Sequence, residues 1–236
     1  RLREIVKEVK EPLEVVVLPT RYPQGGERQL IQAVMGREVP QGGLPADVGA
    51  IVSNIGSAKA AADMVLGDLP LIRRVVTVTG SVKNPGNFLV PIGTSVRELL
   101  ELSGGVTAVQ NRVILGGPMT GPCIASDWTP ESGGELPFVS KTTSGVLVLP
   151  ESRIVEQPCM RCEGCVRVCP AGLKPYQIDC AFMEEDYDLC EKLYASECIA
   201  CGCCSYTCPA KRELSFRVRS ARDMVKQRQR ERAVKQ

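Results

Sequence analysis

Two stretches of the chain carry one cysteine spacing, Cys159-x2-Cys162-x2-Cys165-x3-Cys169-Pro170 and Cys198-x2-Cys201-x2-Cys204-x3-Cys208-Pro209. That spacing puts three thiols on one tight loop, able to wrap three corners of an iron-sulfur cube, while the fourth cysteine and its proline turn away toward a neighbouring cube. The expected ligand sets are therefore crossed. The first cluster takes Cys159, Cys162, Cys165 and Cys208, and the second takes Cys198, Cys201, Cys204 and Cys169. Few features constrain a fold more, because the two copies must lie side by side. Gly164 and Gly202 sit near the middle of the loops, where the backbone must approach sulfide closely. Cys203 falls outside the repeated pattern and is read as a bystander.

Zinc is the competing metal, but a tetrahedral ion leaves no use for a third cysteine packed at the same short spacing. Eleven of the 12 cysteines lie between Cys159 and Cys208, behind a long cysteine-poor body. A disulfide-stapled miniprotein does not need such a body, so the setting is read as reducing and cytoplasmic. Cys180 and Cys190 lie in a segment with helical apolar spacing and are expected to be buried structural thiols. No apolar run approaches the ~18 residues of a membrane span. The opening stretch is charged and lacks the apolar core of a signal peptide, and a start without Met hints at trimming.

Charge is segregated along the chain. Basic and acidic side chains number 14 and 14 in residues 1–150, 5 and 10 in 151–210, and 10 and 3 in 211–236. The expected organisation is a body of two parts, 1–74 and 75–150, a cysteine module at 151–212 and a basic C-terminal helix at 213–236. The acidic balance around the clusters is expected to lower their potentials modestly. The last helix reads as exposed, either simply solvated or docking on an acidic partner or anionic lipid. Nucleic acid is not expected, since no aromatic is interleaved with its charges after Phe216.

In the body, residues 75–79 form a β-branched run, residues 83–87 (KNPGN) a hairpin turn, and residues 88–91 the returning strand. A helix follows from Thr94 and Ser95 to a stop at Gly104 and Gly105, then a strand at 112–115. This order is a β-grasp pattern. Ahead of it, residues 14–18 read as a short buried strand. The glycine-rich loops at 22–27, 41–47 and 51–57 can present backbone N–H groups to a phosphate or a flavin, although such pairs also make plain turns. The overall class is α+β: a partial flavoprotein-like α/β segment, a β-grasp domain and a mostly helical double-cluster domain of ferredoxin type.

The run TVTGSVKNPGNFLVPIGTSVRELLELSGG resembles the SLBB family of β-grasp domains. The ordered series YPQGGERQLIQAVMGREVPQGGLPADVGAIVSNIGSA, then the SLBB stretch, ILGGPMTG, KTTSGVLVLPE and the double cysteine module resembles the C subunits of the Rnf (Rsx) ferredoxin:NAD oxidoreductases. That family is in turn similar to the flavoprotein subunit of respiratory complex I. The resemblance implies two 4Fe-4S clusters and FMN as cofactors, and NAD(H), the other Rnf subunits in the membrane and, indirectly, ferredoxin as partners. It also implies a peripheral place on the cytoplasmic side of a bacterial or archaeal membrane, and electron transfer coupled to Na+ or H+ translocation. Carried over by position, Tyr22, Gly25, Gly26 and Glu27 match the family's flavin-side Tyr-x-x-Gly-Glu-Glu, with Gly26 in place of the first Glu. Ser53 and Asn54 match its Val-Asn-Asn turn, with Ser53 in place of the first Asn.

Relatives carry a Gly-Arg-Gly-Gly loop for FMN phosphate and nucleotide ahead of this point, and these 236 residues do not contain it. The chain alone is therefore expected to be incomplete for NADH oxidation. Two other readings stay open. Cobalamin reductases share the same parts, but with the cluster module ahead of SLBB. The alternative of another class is a flavin-free electron-transfer or assembly module.

Overall fold

The computed structural model describes residues 1–9, 11–107, 111–128, 137–150 and 155–234. The expected start of the cysteine module at residue 151 lies outside them. Two compact units are present, Arg1–Asn54 and Ile55–Gln236.

The first unit contains α1 (Leu2–Glu8) and α2 (Glu27–Met35), then a 3-10 turn at Pro45–Val48. α2 ends where Gly36 turns left-handed and donates its N–H to the Gln32 carbonyl, the usual stop for a helix. Ile31 is its buried anchor. Residues 14–18 do not form the expected buried strand: they have no regular structure, and Val16 and Val17 are exposed. No strand is present among the described residues of this unit. β-branched sequence alone cannot make a strand without a partner to complete its hydrogen-bond ladder.

The second unit opens with α3 (Ile55–Gly67), which buries none of its residues. Next come β1 (Arg73–Gly80) and β2 (Gly86–Pro91), an antiparallel hairpin pairing Val76 with Phe88 and Val78 with Gly86. α4 (Val96–Leu102) starts on a capping box, with the Ser95 hydroxyl accepting from the Glu98 N–H and the Glu98 carboxylate accepting from the Ser95 N–H. Two of the orphan amides of its first turn are thereby satisfied. It stops at Gly104 and Gly105, both left-handed, whose N–H groups bond the Glu101 and Leu100 carbonyls.

β3 (Asn111–Leu115), β4 (Cys123–Trp128) and β5 (Gly145–Pro150) complete one sheet in the order β2-β1-β5-β3-β4. Only β1 and β5 are parallel, and they lie at its centre, as a β-grasp requires. The inward residues Val76, Val78, Val113, Val146 and Val148 pack on Val96, Leu99 and Leu100 of α4. Each such side chain contributes ~1.5–3 kcal/mol by leaving water.

The cysteine module contains α5 (Gly164–Arg167), α6 (Pro175–Met183), α7 (Tyr187–Lys192), a 3-10 turn at Ala195–Glu197, α8 (Cys203–Tyr206) and α9 (Leu214–Val234). The expectation of an exposed terminal helix does not hold for α9. Leu214, Val218, Ala221 and Val225 recur every three or four residues on one buried face. The last three share a core with Ile178, Ala181 and Cys190. Its basic residues meet the acids of the module: Arg228 and Arg232 reach Asp188, and Arg232 also reaches Glu191. Residues 151–236 together hold 15 basic and 13 acidic side chains. The acidic excess around the cysteines is therefore balanced within the fold and gives no reason for lowered potentials.

Candidate metal centre

Each cysteine loop is wound by two left-handed residues at the same places in the repeat. They are Arg161 and Glu163 in the first copy, and Ala200 and Gly202 in the second. They flank Cys162 and Cys201, reversing the chain twice within five residues, so successive thiols turn to one side. Alternation of this kind also aims backbone N–H groups into a concavity suited to anionic sulfur. The partner of Gly202 in the repeat is thus Glu163, and Gly164 is the partner of Cys203. A short helix follows in each copy, α5 or α8, and delivers Cys169 or Cys208 to the far side.

The geometry brings the predicted cysteines together in two cavities. One is lined by Cys159, Cys162, Cys165 and Cys208, with Tyr176 and Leu214 among its walls. The other is lined by Cys198, Cys201, Cys204 and Cys169, with Cys203, Leu173 and Val218. Among the described residues no three Cys, Asp or Glu side chains close round a single ion. Four soft thiols facing one concavity with apolar walls are a donor set that fits an iron-sulfur cluster.

Burial dominates the electrostatics. The Cys165 thiol is pushed up first by desolvation, and further by neighbouring Cys159 and Cys208. Cys204 is pushed up to about 12 by burial and by crowding from Cys198, Cys201 and Cys169. Cys198 is likewise raised by burial, against the pull of Arg222. Thiols so placed shed their protons when a metal centre replaces them, so loading is coupled to proton release. Backbone N–H groups already point at sulfur, from Leu173 to Cys169 and from Ala200 to Cys198, both at 3.4 Å.

Cys203 lines the second cavity and is hydrogen-bonded to Cys201. Cys190 is buried as expected, but Cys180 is exposed. The buried stripe of α6 runs through Ile178 and Ala181, and Cys180 lies on the opposite side of that helix.

An ion network that no local sequence signal marks braces the first cavity. Asp179, 1% exposed, accepts from Arg212 at 2.6 and 3.0 Å and from Arg217 at 3.2 Å. Arg217 also holds both oxygens of Glu156 at 2.7 Å. The network ties the approach to Cys159, helix α6 and the start of α9. A further bond, from the Gln157 N–H to the Ala210 carbonyl, joins the flanks of Cys159 and Cys208. On the other cavity Arg222 of α9 donates to the Cys198 carbonyl at 3.0 Å.

The flavin-side residues stand in the first unit. Tyr22 and Gly25 lie in the turn before α2, Gly26 is its N-cap and Glu27 its first residue, while Ser53 and Asn54 lie in the stretch ahead of Ile55. Five of the six are exposed. As they stand they make an open turn and an exposed strip, which do not enclose a flavin.

Comparison with known proteins adds to this geometry. Residues 1–63 match the Nuo51 FMN-binding domain family, and residues 75–122 match the SLBB domain family. The chain is 42% identical over 221 residues to the C subunit of the Na(+)-translocating ferredoxin:NAD(+) oxidoreductase complex of Acetobacterium woodii, covering 92% of this chain and 48% of that protein. It is 39% identical over 186 residues to the C subunit of the proton-translocating ferredoxin:NAD(+) oxidoreductase complex of Clostridium ljungdahlii, covering 77% and 39%. The C subunit of the ion-translocating oxidoreductase complex of Pseudomonas aeruginosa is 42% identical over 175 residues, covering 72% and 21%. The chain thus spans about half or less of the relatives it matches.

Proposed function

We propose, on the premise that the chain is homologous along most of its length to the C subunits of ion-translocating ferredoxin:NAD(+) oxidoreductases, that it is an electron-carrying part of such a complex. The observation that carries the reading is the pair of cysteine-lined cavities with crossed ligands. Cys159, Cys162, Cys165 and Cys208 hold one 4Fe-4S cluster, and Cys198, Cys201, Cys204 and Cys169 hold the other. When bound, the clusters supply one-electron transfer.

The protein's own work is to hold and insulate. Leu173 and Val218 line one cavity, Tyr176 and Leu214 the other, and these side chains cover part of the sulfur ligands, while Cys162 is exposed. The exchanged cysteines fix the two centres side by side, which suits a relay between partners rather than chemistry on a substrate. Residues 1–63 contribute an exposed edge, with Tyr22, Gly25, Gly26, Glu27, Ser53 and Asn54, to a site for FMN and NAD(H) whose other walls lie outside these residues. Its partners are the membrane subunits of the complex, with ferredoxin reached indirectly, at the cytoplasmic face. No helix among the described residues is long and apolar enough to cross a membrane. The relatives named above are coupled to Na(+) in one case and to protons in the other, so the coupling ion follows the rest of the complex.

The test is anaerobic reconstitution followed by iron and sulfide analysis and low-temperature EPR. The reading expects about eight iron and eight sulfide per chain and two interacting signals on reduction. A preparation that holds only zinc, or one cluster, would refute it.

A further inference from the structure

The turn between β3 and β4, residues 116–121 (GGPMTG), is not used by the electron-carrying reading, yet it touches the second cysteine loop. A Cβ built on Gly202 would stand 2.5 Å from the Met119 carbonyl oxygen, 3.4 Å from its carbonyl carbon and 3.5 Å from its Cβ. Real Cβ atoms do not come that close to a backbone oxygen, so only glycine admits the turn.

The internal repeat supplies the control. Glu163 occupies the same place in the first copy, with φ 57° against 81° for Gly202. A residue with a full side chain therefore takes up the left-handed loop without glycine. The two places differ in surroundings: Glu163 is exposed and Gly202 is buried. Left-handed geometry alone does not require glycine in the second copy, and the approach of Met119 is the reason that the first copy lacks. The atoms nearest to a Cβ built on Gly164, beside Glu163, are those of Cys162, Thr207 and Arg167 in its own module, at 3.7–3.9 Å.

The turn is stiff. Gly116 donates to the Gly145 carbonyl and Gly121 to the Gly117 carbonyl, both at 2.8 Å, and a Cβ on Gly121 would strike the Leu115 carbonyl at 2.4 Å. The apex is thus held by the sheet and pressed on one cysteine loop out of two.

We propose that the 116–121 turn is a positioning element for the second cluster, seating the Met119 carbonyl on Gly202 so that water is excluded from the outer side of that loop. The proposal rests on the two-cluster reading. Reduction adds negative charge to a centre already held by four thiolates, and water stabilises that charge. Excluding water therefore holds the potential of the second cluster down relative to its solvated value.

The test uses the full reconstituted chain and two changes: Gly202→Ala, which places a methyl against the carbonyl, and removal of residues 118–120, which takes the carbonyl away and leaves Gly202 intact. EPR redox titration and deuterium coupling after transfer to heavy water are read at each cluster. Both variants are expected to raise the potential of the second cluster and increase its deuterium coupling, with the first cluster unchanged. In the shortened chain Gly202→Ala should add less than it does beside the intact turn, because its collision partner has gone and only the backbone strain at φ 81° is left. If the shortened chain leaves the second cluster's potential and deuterium coupling at wild-type values, the turn does not shield it and the proposal is overturned, even where Gly202→Ala fails to fold. A wild-type chain without two clusters refutes the underlying reading instead.

Discussion

Replacing Asp179 by Ala removes the one carboxylate of the network that is almost fully buried, and the size of the effect follows from its surroundings. The side chain accepts three charge-assisted hydrogen bonds, at 2.6, 3.0 and 3.2 Å, from two arginines whose side chains are 18% and 16% exposed. Charge-assisted bonds contribute ~1.5–3 kcal/mol each, but they are not additive, and both arginines keep contact with Glu156. The larger cost is the pair of guanidinium groups left with one carboxylate between them in a half-buried site. Breaking such a pair from one side costs ~3–5 kcal/mol. For a unit of this size that is a fall of about 6–20 °C in Tm, at roughly 2–4 °C per kcal/mol. Differential scanning calorimetry of the reconstituted protein measures it, with bleaching of the visible absorbance following cluster loss. The first cluster should be released earlier than the second, since the network braces Glu156 and α9 around Cys159 and Cys208. A Tm equal to that of the wild type would show that the network is not the brace described.

Other perturbations probe the sheet and the charges. Gly80→Ala places a methyl 1.9 Å from the Val148 carbonyl at φ 93°, displacing the Ser81 N–H that bonds it at 2.7 Å. Denaturant titration should show a loss on the order of 3–5 kcal/mol from overpacking and backbone strain. Ser95→Ala opens the capping box of α4 and should cost ~0.5–2 kcal/mol by the same assay. Glu156 is held below its ordinary value of 4.5, chiefly by the hydrogen bond from Arg217. Its lowered folded pKa gives stability that is present above about pH 4.5 and is lost as pH falls through the folded value. The acid limb of a stability–pH profile should therefore flatten in Glu156→Gln, and an unchanged limb would count against the pairing.

Sequence signals are legible here where the chemistry is local. The capping box at Ser95 and Glu98, the stop at Gly104 and Gly105 and the β1–β2 hairpin all follow from residues within a few positions of one another. The cysteine spacing is equally legible, because a loop that must present three thiols to one side has few ways to fold. What fails depends on partners distant in sequence. Residues 14–18 have strand-forming side chains but nothing to pair with, and a strand is a property of two segments. Helix α9 reads as an exposed basic tail because its four buried residues are spread through many charged ones. The opposite charge of residues 151–210 is the available clue: a basic segment following an acidic one can be satisfied within the chain. The Asp179 network joins residues 33 to 61 positions apart, and nothing local marks Asp179 as buried.

The crossed ligation of two clusters is tested most directly by EPR and iron content of two single variants, Cys208→Ser and Cys203→Ser, reconstituted side by side. Cys203→Ser is expected to keep both signals and all the iron, whereas Cys208→Ser is expected to lose or convert the cluster held by Cys159, Cys162 and Cys165 and to spare the one held by Cys198, Cys201 and Cys204. Loss of the second cluster in Cys208→Ser, or of either cluster in Cys203→Ser, would contradict it.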